Sequence, residues 1–274
     1  MPAAYNMQQK NQISQFSSFT KAGQSIAARF LKANGWNVEQ APARSSSSST
    51  TAALNKLFDQ YRAPIKDDPI DSPDTIGLQS AMKYLGDLGL SLDELAVLGV
   101  AELLQSPTMG EFPRDGFVNG WKSTRRESIQ KQREYVEGLR TTLPKDADLF
   151  KRVYRHTFII SRTPGQKSLG LEVAAEYWRL LFGPTGWSWG VGGGDGEKLQ
   201  FPWLDWWVEF VTSSWKRAVG KDMWNMLEAF ARKTNEDETL SWWSDTGAWP
   251  GVIDDFVGWV KAKEEYGAST MDIS

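Results

Sequence analysis

The sequence SWWSDTGAWPGVIDDFVGWVKAK, from Ser241 to Lys263, predicts one helix and the surface beside its start. Pro250 favours a helix start, because the N–H that proline lacks would have no partner in a first turn. After it, apolar residues recur with helical spacing and predict one buried face: Val252, Ile253, Phe256, Val257 and Val260. Asp254 and Asp255 fall away from that face. Ala248 puts almost no side chain beside these carboxylates, so we predict a docking surface that a partner can approach closely.

The composition describes a 274-residue chain with a net charge of -3 and no cysteine. A chain of this length can bury a substantial core without disulfides. The absence of thiols excludes a thiol nucleophile, a thioester relay and cysteine zinc sites on this chain. The negative net charge argues against nucleic acid as the main partner. Because acidic residues outnumber basic ones in the C-terminal region, we expect that region to attract a basic partner.

The hydropathy pattern shows neither a signal peptide nor an apolar run of membrane-spanning length. We therefore expect no membrane partner, and we expect the protein to act in the cytoplasm and the nucleus.

Changes of composition predict two folded units. Residues 8–45 carry apolar residues on short helical faces and predict a three-helix bundle, with Ile13, Phe16, Phe19, Ile26, Ala27, Phe30, Leu31 and Trp36 inside it. The serine run at 46–51 breaks the periodicity and predicts a flexible linker. Residues 52–266 follow as a larger helical domain. Within it, the segment 183–198, GPTGWSWGVGGGDGEK, is rich in glycine and predicts a mobile surface loop.

The periodicity of the larger domain predicts an all-α fold. The predicted helices span 51–62, 77–88, 92–104, 113–121, 124–142, 147–161, 170–182, 203–217, 222–233 and 250–264. Strands are expected only as short bridges beside Ile76 and Phe112. Two loops, 66–80 and 105–116, carry a degenerate helix-loop-helix calcium pattern. Their ligand positions hold too few oxygen donors, so we expect no metal.

Candidate catalytic groups are few. The only histidine, His156, lies inside a predicted helix without an obvious Ser or Asp partner, which favours a structural imidazole over a catalytic base. No phosphate-binding loop or zinc-protease motif is present, so we expect neither catalytic residues nor a cofactor. Twelve of the fourteen tryptophans lie between Trp178 and Trp259. Helical spacing favours a tryptophan-rich core, and a carbohydrate cleft with paired carboxylates is the alternative.

Several motifs occur in the order expected for one known family. FPRDGF, TPGQKSLGLEVAAEYWRLL, KDMWNMLEAF and TGAWPGVIDDFV closely resemble the PONY (potentiating neddylation) domain of the defective-in-cullin-neddylation family, over residues 52–264. FSSFTKAG and FLKANGWNVEQA resemble the UBA-like domain that precedes it in many members. The resemblance implies an all-helical domain with two EF-hand-like units. It also implies a non-catalytic, scaffold-type E3 co-ligase for the ubiquitin-like protein NEDD8.

The resemblance further implies two docking surfaces. The C-terminal winged-helix region of a cullin would bind at Asp222, Ala248 and Asp254, which match the family's acidic patch. The acetylated N-terminal methionine of the NEDD8-conjugating E2 would enter an apolar pocket, for which the matched positions are Leu78, Val97, Val100, Leu104, Met109, Phe112, Phe117, Ile160 and Leu180. Ubiquitin or NEDD8 is the ligand implied for the UBA-like unit.

Two other functions are compatible with the residues. The first is a ubiquitin-binding adaptor without ligase-stimulating activity, in which the UBA-like unit is the active part. The second is a carbohydrate-active enzyme built on the tryptophan cluster.

Overall fold

The computed structural model describes residues 5–20, 24–33, 36, 40–62, 72, 74–190, 200–244, 246–263 and 266. The helices are α1 (Met7–Thr20), α2 (Gln24–Ala33), α3 (Gln40–Arg62), α4 (Leu78–Asp87), α5 (Leu95–Leu103), α6 (Arg114–Ser123), α7 (Ile129–Thr142), α8 (Ala147–Ile160), α9 (Leu171–Phe182), α10 (Trp203–Phe210), α11 (Lys221–Glu236) and α12 (Gly251–Lys261). Two short strands, β1 (Thr75–Ile76) and β2 (Phe112–Pro113), pair antiparallel. The predicted helical fold and the two strand positions are confirmed.

The described side chains form two apolar cores. The small one lies between α1 and α2 and contains Ile13, Phe16, Ala27, Ala28 and Leu31, with Trp36 packed against it. The large one extends from Leu54 to Tyr266 and holds the buried faces of α3 to α12. The described part of the small core contains residues of two helices and Trp36, and the domain bounds 8–45 and 52–266 stay a prediction.

The serine run does not interrupt helical structure, contrary to the sequence prediction. Residues 46–51 lie inside α3, which is continuous for 23 residues. Serine lowers helix stability only modestly relative to alanine, and glycine is absent from this stretch. Pro42 occupies the first turn of α3, where its missing N–H removes no intrahelical bond.

The first half of the glycine-rich segment is packed against the large core, which corrects the prediction of a mobile loop for those residues. Trp187 and Trp189 donate backbone hydrogen bonds to the carbonyl groups of Leu181 and Phe182, at 3.0 and 2.9 Å. The indole of Trp189 is buried and donates to the Thr234 hydroxyl at 2.7 Å. The two tryptophans therefore anchor this stretch despite its glycines. Residues 191–199 lie outside the described part of the chain.

Two predicted helices begin or end elsewhere because of local backbone chemistry. α7 begins after Ser128, whose hydroxyl accepts a hydrogen bond from the Lys131 amide, whereas Arg125 has a left-handed φ of 58° that no α-helix tolerates. α10 passes into a π-helical turn, Val211–Trp215. There the Thr212 hydroxyl donates to the Val208 carbonyl at 2.6 Å, and such side-chain bonds bend helices.

The β1–β2 ribbon joins two helix-loop-helix units, α3–α4 and α5–α6. Arg114, which follows β2, holds the ribbon in place: its guanidinium contacts the carboxylates of Asp59 and Asp74 at 2.7 and 2.9 Å. It also lies 4.2 Å from the ring centre of Phe58. The acidic residues 67, 68 and 71 of the first predicted calcium-like loop lie outside the described residues.

Tryptophan fills the large core, as its helical spacing predicts. Trp224 stacks on Tyr154 and Trp178, with ring centres 4.8 and 5.6 Å apart. The Tyr154 hydroxyl donates to the Trp224 carbonyl at 2.7 Å, and the Trp224 indole donates to the Tyr154 carbonyl at 2.9 Å. These paired bonds fasten α8 to α11. The tryptophans are therefore mainly packing residues rather than the walls of a carbohydrate cleft.

His156 is buried on α8, as predicted, and its Nδ1 has no hydrogen-bond partner among the described residues. Burial lowers the pKa of this imidazole below its ordinary value of 6.5. As pH falls below that value, the unfolded chain binds the proton before the folded one does, so the free energy of unfolding decreases.

We therefore expect the wild type to lose more unfolding free energy than His156→Gln between about pH 7.5 and about pH 5.5. Urea unfolding at both pH values measures this difference. Equal losses in the two proteins would show that His156 does not contribute.

Within the described residues, no helix combines the length and the apolar character that crossing a membrane requires. The same residues bring together no group of three or more His, Asp or Glu side chains suited to a metal ion.

Candidate functional site

The segment before α12 forms a tight turn that presents Ala248. The Gly247 amide donates to the Ser244 carbonyl at 2.9 Å. A Cβ atom on Gly247 would lie 2.9 Å from the Trp249 ring and 3.0 Å from that same carbonyl, so glycine is required for this geometry. Pro250 then adopts an extended conformation and caps α12, which begins one residue later. The predicted helix start is confirmed.

Trp249 anchors this turn to the large core. Its ring stacks on Trp243, with centres 5.7 Å apart, and meets Phe230 of α11 edge-on at 5.9 Å. Because Trp249 points inward, the preceding residue, Ala248, faces outward and is exposed. The small side chain therefore lies at a rigid point of the surface rather than on a loose loop.

Two of the predicted aspartates lie in first turns of helices. Asp222 is exposed in the first turn of α11, and Asp254 is half-buried in the first turn of α12. The positive end of a helix dipole stabilises a carboxylate at this position by about 0.3–1 kcal/mol. Both aspartates therefore have a local structural role in addition to any partner they bind.

The structure brings Ala248 and Asp254 together at the start of one helix. It places Asp222 on a neighbouring helix, since α11 packs against α12 through the contact of Phe230 with Phe256. Asp255 follows Asp254 and is exposed. We call Asp222, Ala248 and Asp254 the acidic surface.

Most of the residues predicted for the apolar pocket lie in the closed core. Val97, Val100, Leu104, Phe112, Phe117 and Ile160 are buried. Met109 and Leu180 are half-buried, and Leu78 is 44% exposed. The role in binding stays a prediction for all of them.

Several of these residues converge around the β-ribbon. The Met109 amide donates to the Ile160 carbonyl at 3.2 Å, which ties the loop before β2 to the end of α8. Leu78 lies so close to Gly110 that a Cβ atom there would be 2.4 Å from it. Phe112 and Phe117 both contact the ring of Tyr84. Leu180 lies on α9, half-buried against the large core.

Comparison with known proteins identifies the family to which this chain belongs. A family model described as cullin binding matches residues 131–259, and one described as a UBA-like domain matches residues 10–43. The chain is 37% identical over 280 residues to defective in cullin neddylation protein 1 of Pyricularia oryzae, covering 97% of both chains. It belongs to the defective-in-cullin-neddylation family.

Two further relatives come from Yarrowia lipolytica and Drosophila melanogaster. The protein of the same name from Yarrowia lipolytica is 34% identical over 250 residues, covering 89% of this chain and 93% of that one. DCN1-like protein 3 of Drosophila melanogaster is 31% identical over 212 residues, covering 77% of this chain and 56% of its own. The match to the cullin-binding model contains the whole acidic surface.

In this member of the defective-in-cullin-neddylation family, the sequence did not single out Met82, an exposed apolar residue beside the predicted pocket residue Leu78. Met82 lies one turn after Leu78 on α4 and is 41% exposed. The two side chains share a face of the helix because residues four apart are neighbours on its surface. Their spacing was the available signal, but periodicity alone assigns both of them to the core.

Proposed function

We propose that this protein is a scaffold-type E3 co-ligase that promotes NEDD8 conjugation to cullins. The observation that carries the proposal is an exposed alanine in the turn before α12, with Asp254 in the first turn of that helix and Asp222 in the first turn of the neighbouring α11, all inside the region matched by the cullin-binding model. The names of the relatives point to the same process. The basic winged-helix region of a cullin docks on this surface, where the small side chain of Ala248 allows close contact.

The chain performs no bond chemistry in this proposal. It holds the charged E2 beside the cullin, so that the lysine and the E2 thioester lose less orientational freedom on the way to reaction. The absence of cysteine agrees with this role, because a thioester relay through the ligase itself needs a thiol. Attraction between the carboxylates and a basic cullin surface speeds association and weakens with salt.

The second surface of the proposal takes the acetylated N-terminal methionine of the NEDD8-conjugating E2. Leu78, Met82 and Met109 supply accessible apolar surface next to the buried positions of the predicted pocket. Acetylation favours such a site, because burying an unpaired ammonium group costs several kcal/mol. Entry of the methionine requires the neighbouring core side chains to open around it.

The remaining parts of the proposal concern the supporting units. The α3–α4 and α5–α6 pairs, joined by the β-ribbon, act as EF-hand-like units without calcium. The UBA-like unit formed by α1 and α2 binds ubiquitin or NEDD8, which the match at residues 10–43 supports. The protein acts in the cytoplasm and the nucleus.

The rate of NEDD8 transfer from its charged E2 to a cullin C-terminal fragment tests the proposal. We expect the full chain to raise this rate at sub-saturating cullin, and an E2 without N-terminal acetylation to respond less. An unchanged rate with a matched E2 and cullin would contradict the co-ligase function and favour the ubiquitin-binding adaptor.

Charge reversal at Asp254 tests the acidic surface directly. We expect Asp254→Lys to weaken binding of the cullin fragment by about tenfold or more, because it removes one attraction and adds one repulsion. The melting temperature should fall by roughly 2–4 °C, since the dipole contribution lost is about 1 kcal/mol or less and a lysine replaces a half-buried carboxylate. Calorimetric titration and thermal unfolding measure the two effects.

Asp148→Lys is the matched control for this change, because Asp148 is an exposed aspartate in the first turn of α8. It should lower stability by a similar small amount and leave cullin binding intact. A large fall in melting temperature for Asp254→Lys alone would mean that Asp254 is a structural residue.

A further inference from the structure

Two segments without acidic residues meet at an isolated β-bridge between Leu169 and Val219. Their backbone groups exchange hydrogen bonds of 2.9 and 2.8 Å. The bridge ties residues 161–171, which lead from α8 into the start of α9, to residues 211–221, which lead from α10 into the start of α11. Neither segment contains Asp or Glu, and together they carry five cations: Arg162, Lys167, Lys216, Arg217 and Lys221. This is a local reversal of charge in a chain whose net charge is -3.

Four of these cations are available to a partner. Lys167, Lys216, Arg217 and Lys221 are exposed, and none forms an ion pair in the part of the chain that the structure describes. Arg162 instead packs over the Phe158 ring at 5.3 Å and donates to the Gln166 carbonyl. We call the four exposed residues the basic bridge.

The backbone holds the basic bridge in a defined arrangement. Lys167 lies two residues before Leu169, and Lys221 lies two residues after Val219, so the bridge fixes the chain close to both lysines. Lys216 has a left-handed φ of 54°, and its amide donates to the Val211 carbonyl at 2.8 Å. The cations are therefore placed by a hydrogen-bonded turn and a bridge rather than by a long loose loop.

In the sequence, the basic bridge lies between Ile160 of the predicted apolar pocket and Asp222 of the acidic surface. Its first segment follows Ile160, whose carbonyl accepts a hydrogen bond from the amide of Met109, another residue of the predicted apolar pocket. Its second segment ends at Lys221, directly before Asp222 of the acidic surface. Lys221 and Asp222 are both exposed in the first turn of α11, so charges of opposite sign lie at the start of one helix.

We propose that the basic bridge is a second docking surface for the cullin, and that it takes an acidic segment of the same C-terminal region that meets the acidic surface. This inference rests on the proposed function. A uniformly anionic partner such as duplex DNA or an anionic bilayer fits less well, because Asp222 and the exposed Glu172 of α9 flank the cations and would repel it. A folded protein with both signs of charge satisfies the two surfaces and gains a fixed orientation.

The test compares two double variants of the full chain with identical changes of charge. Lys167→Glu/Lys221→Glu reverses the basic bridge. Lys145→Glu/Lys151→Glu reverses two exposed lysines at the other end of α8. We expect the first to weaken binding of a cullin C-terminal fragment by about tenfold at low salt and the second by about twofold or less. The loss should shrink as salt is raised, because exposed charges are screened.

Each outcome of this comparison leads to a different conclusion. Equal losses in the two variants, or no loss in either, would overturn the basic bridge while leaving the proposed function intact, provided that the wild type binds. Failure of the wild type to bind a matched cullin fragment would reject the proposed function and this inference together. Wild-type binding of duplex DNA or phosphatidylserine vesicles that the bridge variant loses, with cullin binding unchanged, would assign the cations to a polyanion instead.

Discussion

Ala248→Arg is expected to eliminate stimulation of NEDD8 transfer while leaving the protein folded. The side chain is exposed and its backbone has no positive φ, so arginine is tolerated in the free protein. In the complex, the long cation fills the place of a methyl group and faces a basic partner. We expect the affinity for the cullin fragment to fall by at least about thirtyfold, or about 2 kcal/mol, as for the central residue of an interface.

Ala262→Arg is the matched control for this prediction. Ala262 is exposed at the C-terminal end of the same helix, where an added cation suits the helix dipole. Transfer rates and calorimetric affinities should be those of the wild type. A folded Ala248→Arg variant that stimulates transfer normally would move the docking surface away from the start of α12.

Trp224→Ala is expected to cause the largest loss of stability. The substitution removes a fully buried ring that stacks on Tyr154 and Trp178, together with the indole hydrogen bond to the Tyr154 carbonyl. Removing a buried tryptophan side chain costs about 3–5 kcal/mol, and the lost bond adds about 1 kcal/mol. This is a large share of the roughly 5–15 kcal/mol that typically stabilises a folded domain. Urea unfolding followed by circular dichroism measures it.

Trp224→Phe separates the two contributions, because it keeps an aromatic ring but removes the indole donor. Its loss of unfolding free energy should be clearly smaller than that of Trp224→Ala. Similar losses for both variants would show that the hydrogen bond, rather than the packing, stabilises the α8–α11 contact.

The helical fold could be predicted from apolar periodicity because each helix buries one face in one of the two cores. The two segments where the prediction failed depend on local chemistry that apolar periodicity does not reflect. Serine breaks no helix by itself, so residues 46–51 continue α3 where composition predicts a linker. Two tryptophans order the start of the segment 183–198 despite its glycines. Burial of an indole stabilises the fold by more free energy than is lost as conformational entropy when a short stretch of backbone is ordered.

The turn that presents Ala248 could be predicted from sequence for a different reason, whereas Asp222 was assigned by the family resemblance and the binding role of the acidic surface stays a prediction. Gly247, Ala248 and Pro250 act within a single turn, and short-range geometry of this kind is encoded locally. The predicted apolar pocket and the basic bridge depend on contacts between segments that are far apart in the sequence. Leu169 and Val219 are far apart in sequence, and no periodicity predicts that they pair.

The two hydrogen bonds between Tyr154 and Trp224 close a long span of the chain, and the length of that span affects the entropy of closing it. They join residues 70 positions apart, and the glycine-rich segment lies inside the span they close. The entropy lost on closing a span grows only with the logarithm of its length, so deleting the nine residues 191–199 would change it by about 0.1 kcal/mol. A change of this size in the length of the span therefore alters the entropy of closing the contact between α8 and α11 very little.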